Sequence, residues 1–255
     1  MTKINEVKAY TDLFGPIYGS EDKSILYYSL VKMQRPKNIL ELGTGLATNT
    51  LWLGLALKEN NNNGKIITID NGIGWESILS KPNNILSVNN CDKTDYNSYI
   101  SSLIDKFNLN DVIQFVNQDI ENADVIISSK DIDFLFCDFR HDPEFILNMF
   151  AVFITKMSDS STIVIDSVPT NIYSNLLVNK IIEIFNSGKI PKSISDIARS
   201  SGIDLNLLTD KIKKTEFQII PIIENKKRNQ NSSVMITLSP IDIFYGDSNK
   251  TQIKL

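Results

Sequence analysis

The chain has one histidine, two cysteines and no surplus of basic residues, and each shortage removes a class of function. Cys91 and Cys137 are far apart, and Cys137 lies in an apolar run, so neither a disulfide framework nor a cysteine-based zinc site is expected. Free thiols suit a reducing compartment, and a cytoplasmic location is the expectation. The first ten residues lack the apolar core of a signal peptide, and no uninterrupted apolar run reaches membrane length. With 26 Lys and Arg against 30 Asp and Glu the net charge is -4, which argues against a general attraction to nucleic acid. What is present is apolar mass. Of 255 residues 42% are hydrophobic, enough for one domain over residues 1–255 with a substantial core.

Periodicity divides that mass into alternating elements. Residues 21–34 read as a helix with Ser20 as a plausible cap and an apolar stripe of Ile25, Leu26 or Tyr28, Leu30 and Met33. Pro36 ends it, closing an N-terminal helical segment over residues 1–36. Short, solidly apolar runs at 38–42, 65–70, 112–116, 132–138 and 162–166 read as buried strands. Helical patterns fill 47–59, 96–107 and 143–156, and Pro143 suits a helix start. Two more runs, 217–223 and 234–238, follow a helical insertion of about 172–214. The expected fold is α/β: a doubly wound, mostly parallel sheet of seven strands closed by a C-terminal antiparallel pair.

The segment NILELGTGLATNTL, residues 38–51, is the most specific. A strand ends at Glu41-Leu42-Gly43-Thr44-Gly45 and a helix follows, the order of a nucleotide-sized loop. The two glycines allow a sharp turn and close approach of a ligand to the main chain. A dinucleotide loop would carry a third glycine at position 48, where this chain has Thr48, and Glu41 suits a cationic ligand better than a pyrophosphate. In a doubly wound sheet ligands bind beyond the carboxyl ends of the strands. Acids stand at or just past all five of these: Glu41, Asp70, Asp119, Asp138 and Asp166. Any one of them could be a turn former or cap; five together point to a site. Asp70 is placed to accept from ribose hydroxyls, in NAD-type and other nucleoside sites alike.

The loop resembles motif I, E/D-x-G-x-G, of the class I S-adenosylmethionine (SAM) methyltransferases, a Rossmann-like fold. That resemblance implies SAM as methyl donor, held by Glu41, Gly43, Thr44, Gly45, Asp70, Asp119, Ile120 and Asp138, with Asp119 accepting from the adenine amino group. Trp75 could cover the adenine face, although a packed or exposed loop aromatic is the commoner role. A second stretch, DFLFCDFRHDPEF (133–145), resembles the F-I-D-x-D-H segment of small-molecule O-methyltransferases related to the catechol and macrolide enzymes. TIVIDSV (162–168) resembles their later V-x-D-N/D segment. The resemblance implies methyl transfer to an oxygen of a small molecule, with natural-product biosynthesis as a fitting setting and with Asp138 and His141 in the chemistry. In the metal-dependent branch the ligands of Mg²⁺ would fall on Asp138, Asp166 and Ser167. Two departures stand out: Arg140 where a second acid is common, and Ser167 where Asn or Asp completes the metal site. Arg140 could bind an anionic substrate group or pair with Asp138. His141 is the natural proton acceptor near neutral pH, its competing role being a cap for the helix at Pro143.

Other readings stay open. They are metal-independent N- or C-methylation, an NAD-dependent oxidoreductase, and a SAM- or DNA-binding regulator. The last rests on residues 193–214, which have helix-turn-helix spacing with Gly202 in the turn but Asp204 and Asp210 on the second helix; a lid over the acceptor is the alternative. Tyr10, Phe14 and Tyr18 could pack on a second copy in a homodimer or cover their own pocket.

Overall fold

The computed structural model describes residues 3–13, 21–79, 92, 94–122, 131–224 and 231–241. Ser20, Phe14, Tyr18, Cys91 and the polar loop at 225–230 lie outside the described residues. The elements run α1 (Lys3–Asp12), α2 (Glu21–Gln34), β1 (Asn38–Leu42), α3 (Thr48–Asn60), β2 (Lys65–Asp70), α4 (Trp75–Leu79) and α5 (Tyr96–Lys106). They continue with β3 (Ile113–Asn117), β4 (Ile132–Cys137), α6 (Pro143–Phe153), β5 (Met157–Asp166), α7 (Ile172–Asn186), α8 (Lys192–Ser200), α9 (Leu205–Lys214), β6 (Thr215–Ile223) and β7 (Ser232–Pro240). Short 3₁₀ turns at Ile120–Asn122, Ile154–Lys156 and Val168–Thr170 join some of them.

The seven strands form one sheet in the order β3-β2-β1-β4-β5-β7-β6. β1 to β5 are parallel, and β7 runs antiparallel between β5 and β6. This is the expected doubly wound, mostly parallel sheet with a reversed strand pair at its end. The order reverses between β1 and β4, so the crevice beyond their carboxyl ends is the natural ligand position.

Alternation along the strands sends side chains to two apolar clusters, one per face. Leu40, Leu42, Leu135, Cys137, Ile163 and Ile165 join α6 to α9 on one face. Ile39, Phe134, Phe136 and Val164 join α1, α2, α3 and α5 on the other. The same alternation aims Glu41, Asp138 and Asp166 toward the α2–α3 face, because each lies two positions beyond a residue of the second cluster. α3 is buried on nearly every side, from Thr48 to Leu57, because α1 and α2 cover the surface it turns away from the sheet.

Two sequence expectations are corrected. The buried stripe of α2 is Lys23, Ser24, Tyr27, Leu30 and Val31, whereas Ile25 and Met33 are exposed. The helix is rotated because its polar groups find buried partners that a pattern of apolar residues cannot register. The stretch at 71–110 carries a second short helix, α4, besides α5. Residues 193–214 form α8 and α9, whose Ile194, Ala198, Leu208 and Ile212 are built into the first apolar cluster. Lys211 on α9 pairs with Asp159 on β5 at 2.7 Å, and no described helix is long and apolar enough to cross a membrane.

Candidate active site

The turn after β1 is shaped by two glycines under different constraints. Gly43 has φ +96°, and a Cβ there would lie 2.2 Å from the Asp138 carbonyl oxygen, so no side chain fits between β1 and β4. Its N–H donates to the Ile69 carbonyl at 3.0 Å, fixing the turn to β2. Gly45, with φ +52°, has nothing within 4 Å of its would-be Cβ. Among the described residues that side is open, while its N–H donates to Asp70 Oδ2 at 2.9 Å. Asp70 Oδ1 accepts from the Gly72 N–H at 2.8 Å, and Tyr96 OH donates to the Gly45 carbonyl at 2.8 Å. Thr44 and Thr68 share a 2.6 Å hydroxyl bond beneath the turn. The result is a rigid crook with a carboxylate on its rim.

Glu41 lies under this crook, 1% exposed. Thr50 Oγ1 on α3 donates to its Oε2 at 2.6 Å, but Oε1 is buried with no partner among the described residues. Burial raises its pKa to about 8, outweighing the hydroxyl bonds from Thr50 and Thr68, with Asp138 and Asp70 adding repulsion. Asp119 is exposed beyond β3 and accepts from the Glu121 N–H at 3.0 Å, while Ile120 beside it is buried. Trp75 is packed, 5% exposed, with ring centroids 5.6 Å from Tyr96 and 4.9 Å from Tyr99. It is therefore a core aromatic.

Across the crevice, β4 and β5 deliver Asp138 and Asp166 to a polar network rooted in α2. Lys23 Nζ donates to Asp166 Oδ1 at 2.5 Å, both side chains almost wholly buried. Tyr27 OH donates to the same oxygen at 3.0 Å, Ser233 Oγ of β7 also donates to it, and Ser167 Oγ donates to Oδ2 at 3.0 Å. Burial first, then the charge of Asp166, pushes the Tyr27 hydroxyl well above its ordinary pKa. Ser24 Oγ donates to Asn49 Oδ1 at 3.0 Å, and Asn49 Nδ2 reaches Asp138 Oδ2 at 3.4 Å. Lys23, Ser24, Tyr27, Asn49 and Ser233 were not singled out from sequence. Their signal was the spacing of Lys23 and Tyr27, one turn apart and in line with Leu30 and Val31.

His141 sits at the edge of this network. Its Nδ1 is buried with no hydrogen-bond partner among the described residues, and its carbonyl accepts from Ser174 Oγ at the start of α7. Desolvation lowers its pKa and the nearby Lys23 lowers it further, against the opposing charges of Asp166 and Asp142. The cap of α6 is Asp142, whose carboxylate accepts from the Phe145 N–H at 3.0 Å, so His141 is not needed for that task. Arg140 turns outward to Asp142 at 2.8 Å and Glu121 at 3.2 Å.

The residues expected to hold Mg²⁺ do not fit a divalent cation. A hard cation needs carboxylate lone pairs and room for its waters. Oδ1 of Asp166 already accepts three hydrogen bonds, one from an ammonium, and Ser167 spends its hydroxyl proton on Oδ2. Among the described residues, no group of three or more His, Cys, Asp or Glu side chains could hold a metal ion. The loop does fit a nucleoside with an amino-acid tail: it offers an open glycine and a carboxylate at hydroxyl-binding reach of the turn.

Comparison with known proteins agrees with the fold. A family model described as a methyltransferase domain matches residues 40–168, from β1 to just beyond β5. An O-methyltransferase from Bacillus cereus, solved with S-adenosylhomocysteine (SAH), shares the fold with a TM-score of 0.53 at 16% identity, covering 93% of this chain and 90% of that one. The O-methyltransferase TomG from Streptomyces achromogenes, involved in tomaymycin synthesis and solved with SAM, aligns with a TM-score of 0.52 at 13% identity, covering 94% and 90%. No curated protein matches the sequence.

Proposed function

Since the chain belongs to this methyltransferase-domain family, we propose that it transfers the methyl group of SAM to an oxygen of a small molecule, with a natural product as the fitting acceptor class. The observation that carries the proposal is the crook itself. An open face at Gly45, with Asp70 locked beside it by a 2.9 Å bond to that glycine's N–H, suits the methionine end and the ribose of one ligand. Gly43, Thr44 and Gly45 would hold the amino-acid part, and Asp70 the ribose hydroxyls. Asp119 and Ile120 would flank the adenine, one offering a carboxylate and the other an apolar surface. Glu41 would act from below, keeping the turn in shape. Asp138, across the turn from Gly43, would stand nearest the sulfonium.

The chemistry needs little from the protein beyond alignment and removal of a proton. The acceptor hydroxyl gives its proton to His141, and the oxygen lone pair forms the new O–CH₃ bond. The S–CH₃ bond breaks with its electron pair returning to sulfur, and the sulfonium becomes the thioether SAH. A lowered pKa keeps His141 neutral, and so able to accept, at pH values where an ordinary histidine is already charged. Ile172, Tyr173 and Leu176 stand exposed on the first turns of α7, beside the residue that bonds to His141. They would offer an aromatic or aliphatic acceptor an apolar rim. The similar Bacillus and Streptomyces proteins, both O-methyltransferases, favour oxygen over nitrogen or carbon. A cytoplasmic setting and a single domain over residues 1–255 go with this reading.

Calorimetric titration with SAH tests it. The wild type is expected to bind in the micromolar range, and Asp70→Asn to lose about tenfold or more, the loss of one hydrogen bond to a charged group. Unchanged affinity in Asp70→Asn, or a thermal shift with NAD in place of SAH, would reject the assignment.

A further inference from the structure

The α2 network places a fixed positive charge where a metal-dependent methyltransferase of this fold would bind its ion. We propose that the Lys23 ammonium is the resident cation of the site, taking the place of a divalent metal on Asp166. The inference rests on the methyl-transfer reading above and deepens it: the catalysed transfer needs no metal ion.

Geometry and charge count both support this. Lys23 Nζ is 2.5 Å from Asp166 Oδ1, and the two side chains are 3% and 7% exposed, so the pair is sealed from solvent. One ammonium neutralises one carboxylate, which is the condition for burying either. A metal ion on the same carboxylate would stand beside an ammonium of like charge, and bulk water is excluded from the place where its aqua ligands would sit. The other neighbours reinforce the arrangement. Tyr27 OH and Ser233 Oγ donate to the oxygen that Lys23 grips, and Ser167 Oγ donates to the other, so each points a proton toward the carboxylate. A metal site would instead point lone pairs inward. Helix α2 supplies both Lys23 and Tyr27 at i and i+4, and its Ser24 touches Asn49, which reaches Asp138. The N-terminal helix thus spans the two acids that a metal would otherwise bridge. Lys23 positions Asp166 and its surroundings, and nothing in the argument requires it to touch substrate.

Manganese(II) is a suitable probe, read by the electron paramagnetic resonance signal of the free aqua ion. In wild-type protein the free-ion signal should persist to millimolar manganese. Wild-type binding in the micromolar range that Asp166→Asn abolishes would overturn the proposal. Lys23→Met should uncover the carboxylate and raise manganese affinity at least tenfold, and Lys23→Met/Asp166→Asn should lose it again. A folded Lys23→Met protein with no gain would also overturn it. Should Lys23→Met fail to fold, thermal unfolding of the other variants decides. Asp166→Asn, which removes the negative charge 2.5 Å from a buried ammonium, should lower Tm by roughly 10 °C. The double variant should recover most of that loss, and absence of recovery counts against the pair. SAH calorimetry on the wild type keeps the two ideas apart. Failure to bind SAH sinks the methyl-transfer reading, whereas manganese bound through Asp166 sinks only this one.

Discussion

Gly43 and Gly45 stand two positions apart and tolerate change very differently. A methyl group at position 43 meets a backbone carbonyl at 2.2 Å, an atom that cannot swing aside. Gly43→Ala should cost about 3 kcal/mol or more from overpacking plus the left-handed backbone. Differential scanning fluorimetry should show a Tm fall of about 10 °C. Gly45→Ala meets no atom. It should cost only about 1 kcal/mol of backbone strain, or about 3 °C, and yet weaken SAH at least tenfold by filling the open side. Equal effects of the two on Tm would contradict this account of the turn. Glu41 makes a separate prediction. Its folded pKa of about 8 lies above the ordinary 4.5, so the folded state holds a proton that the unfolded chain releases. The stability linked to that proton is complete below about pH 4.5, is lost as pH rises toward 8, and changes no further above it. The slope is at most about 1.4 kcal/mol per pH unit, or about 3 °C in Tm. Glu41→Gln, which cannot ionise, should flatten the Tm–pH curve across this window; an unaltered slope would mean that Glu41 is not the group responsible.

At the scale of elements, the sequence was most readable where a signal is local. Apolar runs placed all seven strands, and turn chemistry placed the glycine loop and the start of α6 at Pro143. Strand ends were less legible: β5 begins at Met157, five residues before its apolar run, because polar residues at that end find partners from other segments, Ser158 Oγ donating to Asp133 and Asp159 pairing with Lys211. The face of α2 was misread for a deeper reason. Its buried stripe includes an ammonium, two hydroxyls and only two aliphatic residues, and such groups are buried only because partners distant in sequence await them: Asp166 lies 143 residues from Lys23, Ser233 lies 206 from Tyr27. No pattern within a fourteen-residue helix contains that information. His141 shows the same limit, for the nearest sequence explanation, a helix cap, belongs to its neighbour. Asp142→Ala tests that division of labour. Losing the bond to the Phe145 N–H should cost about 1 kcal/mol, typical of an N-cap, and lower Tm by about 3 °C. The exposed Arg140–Asp142 pair should add little to this. SAH affinity should stay within twofold, and a larger loss would place Asp142 in the ligand site.

At the scale of the whole molecule, the first two helices close the fold over the glycine loop. Tyr10 OH on α1 donates to the Leu46 carbonyl at 2.7 Å, within the glycine turn, and lies 2.7 Å from Tyr99 OH on α5. Trp52 Nε1 on α3 donates to Thr11 Oγ1 at 3.0 Å. α2 adds the Lys23–Asp166 pair and the Tyr27–Phe136 ring contact at 4.8 Å. Yet the family match begins only at residue 40. The matched portion alone would leave Trp52 and Leu51 uncovered and Asp166 without its cation, an uncompensated buried carboxylate beside bare apolar surface. Deleting residues 1–34 should therefore abolish cooperative unfolding and SAH binding together, instead of yielding a trimmed but working enzyme. The measurement is a thermal melt followed by near-ultraviolet circular dichroism, with and without SAH. A truncated chain that melts cooperatively within about 5 °C of the full chain, a loss of only some 2 kcal/mol, would show that α1 and α2 are accessories to a self-sufficient core.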